Sequence, residues 1–452
     1  MKNWNEIFAG KKITVMGLGL LGRGIGDAAF LAAAGAEVIV TDRKSAADLA
    51  TSVEQLQQYP NITFVLGEHR HEDFENRDFI LVAAGVPTDS PYLETARAAG
   101  VPLKQSAAWF AELSGIPIVG ITGTRGKSTV THMIHHVLSQ VTGEEILLGG
   151  NVRGLSNLQL LNQVKAESIC VMELDSWQLQ GWGWSHMSPM VAVFTNFMED
   201  HLNYYHKDGM TKDEAMDLYF ADKANIFQYQ EDSGVLVTTP EVFERAKGLA
   251  GVTLGQAVVL ADASIIPEDA LLAMPGDHNR LNAALATEAL KFLSLTEEEI
   301  FSGLASFAGV EGRLQLVRTI DNVRIYNDNN ATTPAATAAG LAALDSGNHN
   351  IILIAGGADK AIDPAPLFQA IESHTKSVIL VPGTGTETIV DALPDATVVL
   401  DVEAAVAEAR LQATAGDIIL FSPAFASFGQ FKNEYERNDV FLTAVAALAD
   451  EQ

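Results

Sequence analysis

Cysteine is almost missing from this chain: Cys170 is the only one among 452 residues. A single thiol excludes any intramolecular disulfide and any cysteine-based metal site. Its setting in SICVMEL reads as a core position of a strand, not as a nucleophile. Long apolar runs are missing too. The opening MKNWNEIFAGKK has no apolar signal core and no later stretch is long enough to span a bilayer, so the expectation is a cytoplasmic protein with no membrane insertion. Cations are scarce: 29 Lys and Arg stand against 57 Asp and Glu, and the formal charge of -28 is spread along the sequence. That balance argues against nucleic acid or an acidic membrane as partner, and a polyanionic ligand would need its counter-charge supplied locally. No short-period repeat is present.

Hydrophobic residues, at 48%, suffice to fill several cores, and the length predicts about three domains of ordinary size. The most informative stretch is 120–129, GITGTRGKST. Residues 116–121 are short, apolar and β-branched and read as a buried parallel strand, whereas 128–141 carry apolar residues at helical spacing. The loop between them aims backbone N–H groups and a helix N-terminus at whatever lies above, an arrangement that binds phosphates. Gly123, Thr124, Arg125, Gly126, Lys127, Ser128 and Thr129 form the candidate cradle, Lys127 for the terminal phosphates and Ser128 for a metal ion. The general phosphate-loop spacing needs glycine where Ile121 stands; here the glycines fall at Gly120, Gly123 and Gly126. A chance glycine-rich turn is the bland alternative, disfavoured by the strand before it and the helix after.

The fold class expected is α/β in three domains: a Rossmann-like one over 1–112, a central ATPase-like one with a mostly parallel sheet over 113–310, and a Rossmann-like doubly wound one over 311–452. In the first, a strand at 12–16 leads into GLGLLG, a helix to about residue 34, and a second strand ending at Asp42. The glycine spacing and the acid some 20 positions on match a dinucleotide fingerprint. NAD, another nucleotide's diphosphate and a plain tight turn all fit those glycines. In the third, the apolar strands IILIAGG, SVILVPG, ATVVLD and DIILFSP alternate with helical segments, which implies a parallel sheet, and 331–344 reads as a helix.

Strand 169–173 delivers Glu173 to the carboxyl edge of the central sheet, and strand 190–195 brings Glu199, Asp200 and His201 to the same edge. A carboxylate and an imidazole beside a triphosphate suit Mg2+; each taken alone also reads as a solvated loop residue. Lys223, in LYFADKANIF, reads by composition as a surface lysine paired with Asp222 or with nothing. Asn279 has the ordinary reading of a residue at a helix start.

The motifs GLGLLG, GITGTRGKST, GGN at 149–151, ELDSWQL, EDHLNYY, GDHNRLNA, EGR and SPAFASFGQFKN together resemble the Mur ligase family, in its order and over nearly the whole chain. The resemblance is to the members that use ATP to add glutamate, D-glutamate first, to UDP-N-acetylmuramoyl-L-alanine through an acyl phosphate, in peptidoglycan precursor synthesis. It implies Gly19, Leu20, Leu21, Asp42, Arg43 and Asn151 for the UDP-substrate, with NAD receding. It implies Asn279 (with His278), Arg313 and Asp328 for ATP, and Thr332, Lys360 and Ser427 for the amino acid's carboxylates. Lys127, Glu173, His201 and Lys223 would be catalytic. Ser128, Glu173, His201 and a carbamylated Lys223 would hold Mg2+, at two sites, in a monomer.

Three residues depart from the glutamate-adding pattern: Asp175 stands where serine is usual, Asn330 where lysine is, and Glu434 where an aromatic is. The glutamate-rich segment usual around 105–110 is also missing. These leave L-glutamate or another amino acid open. A folylpolyglutamate synthase-like ligase would lack the GLGLLG module, and a non-catalytic nucleotide binder would not need Lys127, Glu173, His201 and Lys223 together.

Overall fold

A computed structural model describes residues 3–18, 22–143, 145–254, 257–268, 270, 272, 274 and 276–449. Three sheets organise them. The first contains β1 (Lys12–Met16), β2 (Glu37–Asp42), β3 (Ile62–Leu66), β4 (Phe79–Val82) and β5 (Leu103–Lys104), in the order β3-β2-β1-β4-β5, all parallel. The second contains β6 (Ile118–Thr122), β7 (Leu147–Gly150), β8 (Cys170–Glu173), β9 (Val191–Phe194), β10 (Val235–Thr238) and β11 (Ala257–Leu260), in the order β11-β10-β9-β6-β8-β7, again all parallel. Every residue of β6, β8 and β9 is buried, which is why these strands read as short continuous apolar runs without alternation. β6 lies between β8 and β9, so the strand order reverses there and the loops leaving all three meet at one carboxyl edge.

The third sheet contains β12 (Gln315–Ile320), β13 (Val323–Asn327), β14 (Ile351–Ala355), β15 (Thr375–Leu380), β16 (Thr397–Val398) and β17 (Ile418–Phe421), in the order β12-β13-β17-β14-β15-β16. It departs from the expected parallel alternation at one edge, where β12 and β13 form an antiparallel hairpin. Asp321 and Asn322 turn that hairpin with φ of 50° and 62°, a backbone that these two residue types tolerate. The helix expected over 331–344 is Pro334–Leu344. Thr333 caps it by accepting from the Ala336 N–H, and this leaves Ala331 and Thr332 outside the helix.

The chain divides into two compact units, Met1–Glu268 with Leu281–Gly303, and Asp269–Arg280 with Leu304–Gln452. In the first unit one continuous apolar cluster runs through both sheets. The helix Ser106–Ser114 joins them: Trp109 meets Phe8 edge-on at 5.4 Å, and Ala107, Ala108 and Phe110 belong to the same cluster. In the second unit β14 faces two ways, Leu353 packing in one cluster and Ile352 and Ile354 in the other, as strand periodicity dictates. Cys170 is fully buried in β8, where burial pushes its thiol well above the usual range, so it stays an inert core residue.

Candidate functional site

The glycine loop after β6 enters the helix Lys127–Thr142. Two of its glycines are sterically required. At Gly123, φ is 142° and a Cβ would fall 1.9 Å from Thr195 Oγ1; at Gly126, φ is 80° and a Cβ would fall 2.4 Å from Asn282 Oδ1. Strand β9 braces the loop through its exit: the Thr124 N–H donates to Asn196 O at 2.9 Å, the Arg125 N–H to Asn196 Oδ1 at 2.9 Å, and Thr195 Oγ1 to Arg125 O. Sequence reasoning missed Thr195, Asn196 and Asn282. The TN pair ending β9 and the repeated asparagine of NRLNA were the available signals. Among the described residues no side chain caps the helix at Gly126, so its first turn keeps the dipole end suited to an anion. Lys127 Nζ lies back over the loop, donating to Gly123 O and Thr124 O, each at 3.1 Å.

Lys223 is not a surface lysine. It is 1% exposed on the helix Lys212–Ala224, its Nζ donates to Gly123 O at 2.9 Å, and it sits 4.9 Å from the centre of the Tyr219 ring. Burial, and then the charge of Lys127, hold its pKa well below the ordinary lysine value, with Asp175, Asp200 and Glu173 opposing. The neighbouring Asp222 does not pair with it. Asp222 accepts instead from Gln180 Nε2 at 2.8 Å and Tyr205 OH at 2.9 Å, and burial raises its pKa to about 6.

Glu173 ends β8 next to this loop, 6% exposed; among the described residues its carboxylate makes one long hydrogen bond, from Asn151 Nδ2 at 3.4 Å. Asn151 is further fixed by its N–H to Glu173 O at 2.7 Å. His201 has φ 54° and its ring lies 4.8 Å from that of Trp177. Burial lowers its pKa, against the pull of Asp200, which favours the neutral imidazole. Among the described residues no three of His, Cys, Asp or Glu converge as a metal cluster.

In the first sheet the Asp42 carboxylate accepts from the N–H groups of Leu18 and Lys44, both at 2.9 Å, while Arg43 is exposed. Gly19, Leu20 and Leu21 lie outside the described residues.

In the second unit Asp328 accepts from Ser422 Oγ at 2.8 Å and from the Leu314 N–H at 3.2 Å, which ties it to the segment that carries Arg313. Lys360 Nζ donates to Thr332 Oγ1 at 2.9 Å, so these two residues do come together. Ser427 is buried after β17. Arg437, which sequence reasoning missed, is 1% exposed and bolts the loops after β13 and β17 to each other, donating to Asn329 Oδ1, Asn329 O and Phe425 O at 2.8, 2.9 and 3.1 Å. Burial brings its pKa down to about 10. Asn279 lies in the first turn of the helix Asp277–Phe292 and is 2% exposed, with His278 beside it.

The three departures acquire local reasons. Asp175 caps the helix Ser176–Trp184 by accepting from the Gln178 N–H at 2.8 Å, with a full capping box, a role serine also fills. Glu434 opens the helix Glu434–Ala446, where an acid complements the dipole. Asn330 ties back to the EGR segment, its N–H donating to Gly312 O at 3.0 Å and its Nδ2 to Glu311 O at 3.4 Å.

A buried strand, a glycine loop and a helix at the switch point of a parallel sheet, with two lysines converging on one loop carbonyl, define an α/β protein of the glycine-loop, phosphate-cradling class. Family models specify it further: Mur ligase MurD-like N-terminal domain matches residues 11–104, Mur ligase middle domain 121–248, and the Mur ligase glutamate ligase domain 312–425. The UDP-N-acetylmuramoylalanine–D-glutamate ligase of Roseiflexus sp. (strain RS-1) is 36% identical, the match covering 97% of this chain and 98% of that protein. The protein of the same name from Borreliella afzelii (strain PKo) is 31% identical over 96% and 97%. The chain therefore belongs to the Mur ligase family. Its fold is also that of the MurF ligase of Thermotoga maritima (TM-score 0.59, 15% identity, 99% of this chain and 100% of that one) and the UDP-N-acetylmuramate-alanine ligase of the same organism (0.58, 18%, 97% and 99%).

Proposed function

We propose that this chain is an ATP-dependent ligase that joins glutamate, D-glutamate first, to UDP-N-acetylmuramoyl-L-alanine, acting as a monomer in the cytoplasm in peptidoglycan precursor synthesis. The observation that carries the reading is the convergence of Lys127 and Lys223 on the Gly123 carbonyl. Two amines at one oxygen repel when both are charged, and a polyphosphate together with a modified lysine relieves that repulsion.

A carboxylate is a poor electrophile until one of its oxygens becomes a leaving group. Transfer of the γ-phosphoryl from ATP to the alanyl carboxylate releases ADP and forms an acyl phosphate. The glutamate amine then attacks the carbonyl carbon, loses a proton, and expels phosphate. In this reading Gly123 to Thr129 hold the phosphates, Lys127 neutralises charge that develops on the γ-phosphoryl, and Asn151 with Asp42 and Arg43 orients the UDP-substrate. Asn279, Arg313 and Asp328 are assigned to ATP, and Thr332, Lys360 and Ser427 to the glutamate carboxylates. The donor chemistry suits Mg2+: Glu173 is a buried carboxylate with unused lone pairs, and Ser128 adds a hydroxyl. Bound there, the ion would neutralise phosphate charge, held by Ser128, Glu173, His201 and Lys223 as its carbamate. Burial favours the neutral Lys223 amine, the form that adds carbon dioxide.

The test is phosphate release from ATP with magnesium, UDP-N-acetylmuramoyl-L-alanine and a panel of amino acids. Turnover with D-glutamate well above the other amino acids is expected. Turnover with L-glutamate alone, or none with any acceptor, would remove the reading.

A further inference from the structure

A 340 Å3 cavity opens in the first unit at the carboxyl edge of the first sheet, between Gly17 and Leu18 after β1 and Asn151 of the second. Two acids, Asp27 and Asp175, border it, and Arg23 is the only cation among the described residues that line it. Neither acid attracts an anionic guest, so its acceptance turns on Arg23. That residue opens the helix Arg23–Ala33, where a cation opposes the helix dipole, and its one compensation within the helix is attraction to the buried Asp27 a turn further on. Its Nη1 donates to Asn151 Oδ1 at 2.6 Å, which holds the guanidinium at the cavity wall with further N–H donors to spare.

A second, independent feature lines the same cavity. Gln105 is 2% exposed, and its Oε1 accepts from the Gly181 N–H at 3.1 Å. Its Nε2 is buried and has no partner among the described residues. A buried amide donor without an acceptor is unfavourable unless a ligand supplies one.

We propose that Arg23 and Gln105 are specificity-determining residues for the nucleotide-sugar acid, donating to anionic oxygens that it brings into this cavity. The inference rests on the function proposed above and deepens it. Arg23 also lies two hydrogen bonds from Glu173, through Asn151, so it lines the nucleotide-sugar cavity while connected to the edge that carries the phosphate loop. The oxygens belong either to the diphosphate or to the alanyl carboxylate, and the two sources separate by experiment.

Calorimetric titration without ATP, using UDP and UDP-N-acetylmuramoyl-L-alanine, compares the unmodified protein with Arg23→Leu, Arg23→Lys and Gln105→Leu. Arg23→Leu is expected to weaken the full substrate about tenfold or more and Gln105→Leu about fivefold, with Arg23→Lys in between. The KM for ATP should change less than about twofold. Weakening of UDP as well assigns the contact to the diphosphate, and weakening of the full substrate alone assigns it to the carboxylate. Unchanged affinity for both ligands in Arg23→Leu and Gln105→Leu overturns the proposal, as does an equal rise in the KM for ATP, which would signal loosened structure. Failure of the unmodified protein to bind either ligand removes the function proposed above, and this inference with it.

Discussion

Replacing Asp222 with asparagine should stabilise the first unit at neutral pH, and by a predictable amount. The Asp222 carboxyl, buried against Gln180 and Tyr205, titrates at about 6, against 3.8 for an ordinary aspartate. The folded chain therefore holds a proton that the unfolded chain has already lost, so stability falls as pH rises from about 4 to about 6 and the loss is complete above that window. Each pH unit of difference is roughly 1.4 kcal/mol, which puts the full penalty at ~3 kcal/mol. Asp222→Asn removes the charge and keeps an oxygen for the two donors. The side chain of Gln180, which donates to Asp222, also carries a buried acceptor, Oε1, with no partner among the described residues. All five tryptophans, Trp4, Trp109, Trp177, Trp182 and Trp184, lie in the first unit, so urea unfolding followed by tryptophan fluorescence reports on it selectively. The stability of Asp222→Asn relative to the unmodified protein should grow between pH 4 and pH 7 by up to ~3 kcal/mol. A difference that stays flat across that range, or shrinks, refutes the argument.

Lys127→Ala should lower phosphate release by at least about a hundredfold, and Lys223→Ala should do so with partial recovery when short carboxylic acids are added; full activity of Lys223→Ala without additive would remove the carbamate role. Asp175→Ser should leave unfolding of the first unit within about 0.5 kcal/mol, because serine caps a helix as aspartate does, whereas Asp175→Ala should cost about 1 kcal/mol. Equal losses in the two variants, read by the same fluorescence assay, would show that the cap is not what Asp175 provides.

The elements around the glycine loop were legible in the sequence because short apolar β-branched runs and helical spacing are local signals. β6, β8 and β9 fall within a residue or two of where those runs put them. The hairpin of β12 and β13 went unread because it sits at a sheet edge, with the half-exposed Gln315–Ile320 lacking a continuous apolar run; the Asp-Asn turn was its one signal. The burial of Lys223, a residue that only the family resemblance singled out, was illegible to composition and spacing for a different reason. Helical periodicity does not say which neighbour a lysine's amine will meet, and Gly123 O lies a hundred residues away in sequence. The departures at Asp175 and Glu434 left the added amino acid open in the sequence, yet Asp175 caps one helix and Glu434 opens another, positions where the local backbone accommodates an acid. Arg437 announced nothing, since its partners are main-chain carbonyls and an amide rather than a carboxylate partner spaced along its own helix.

The helix Ser106–Ser114, with Trp109 against Phe8, has a consequence for anyone dissecting the molecule. Its side chains are shared property, solvating neither sheet's apolar surface alone, so a truncation ending near residue 115 would leave a raw hydrophobic wound on the fragment and another on the remainder. Fragments made that way should clump rather than fold, and the smallest workable excision is the whole first unit.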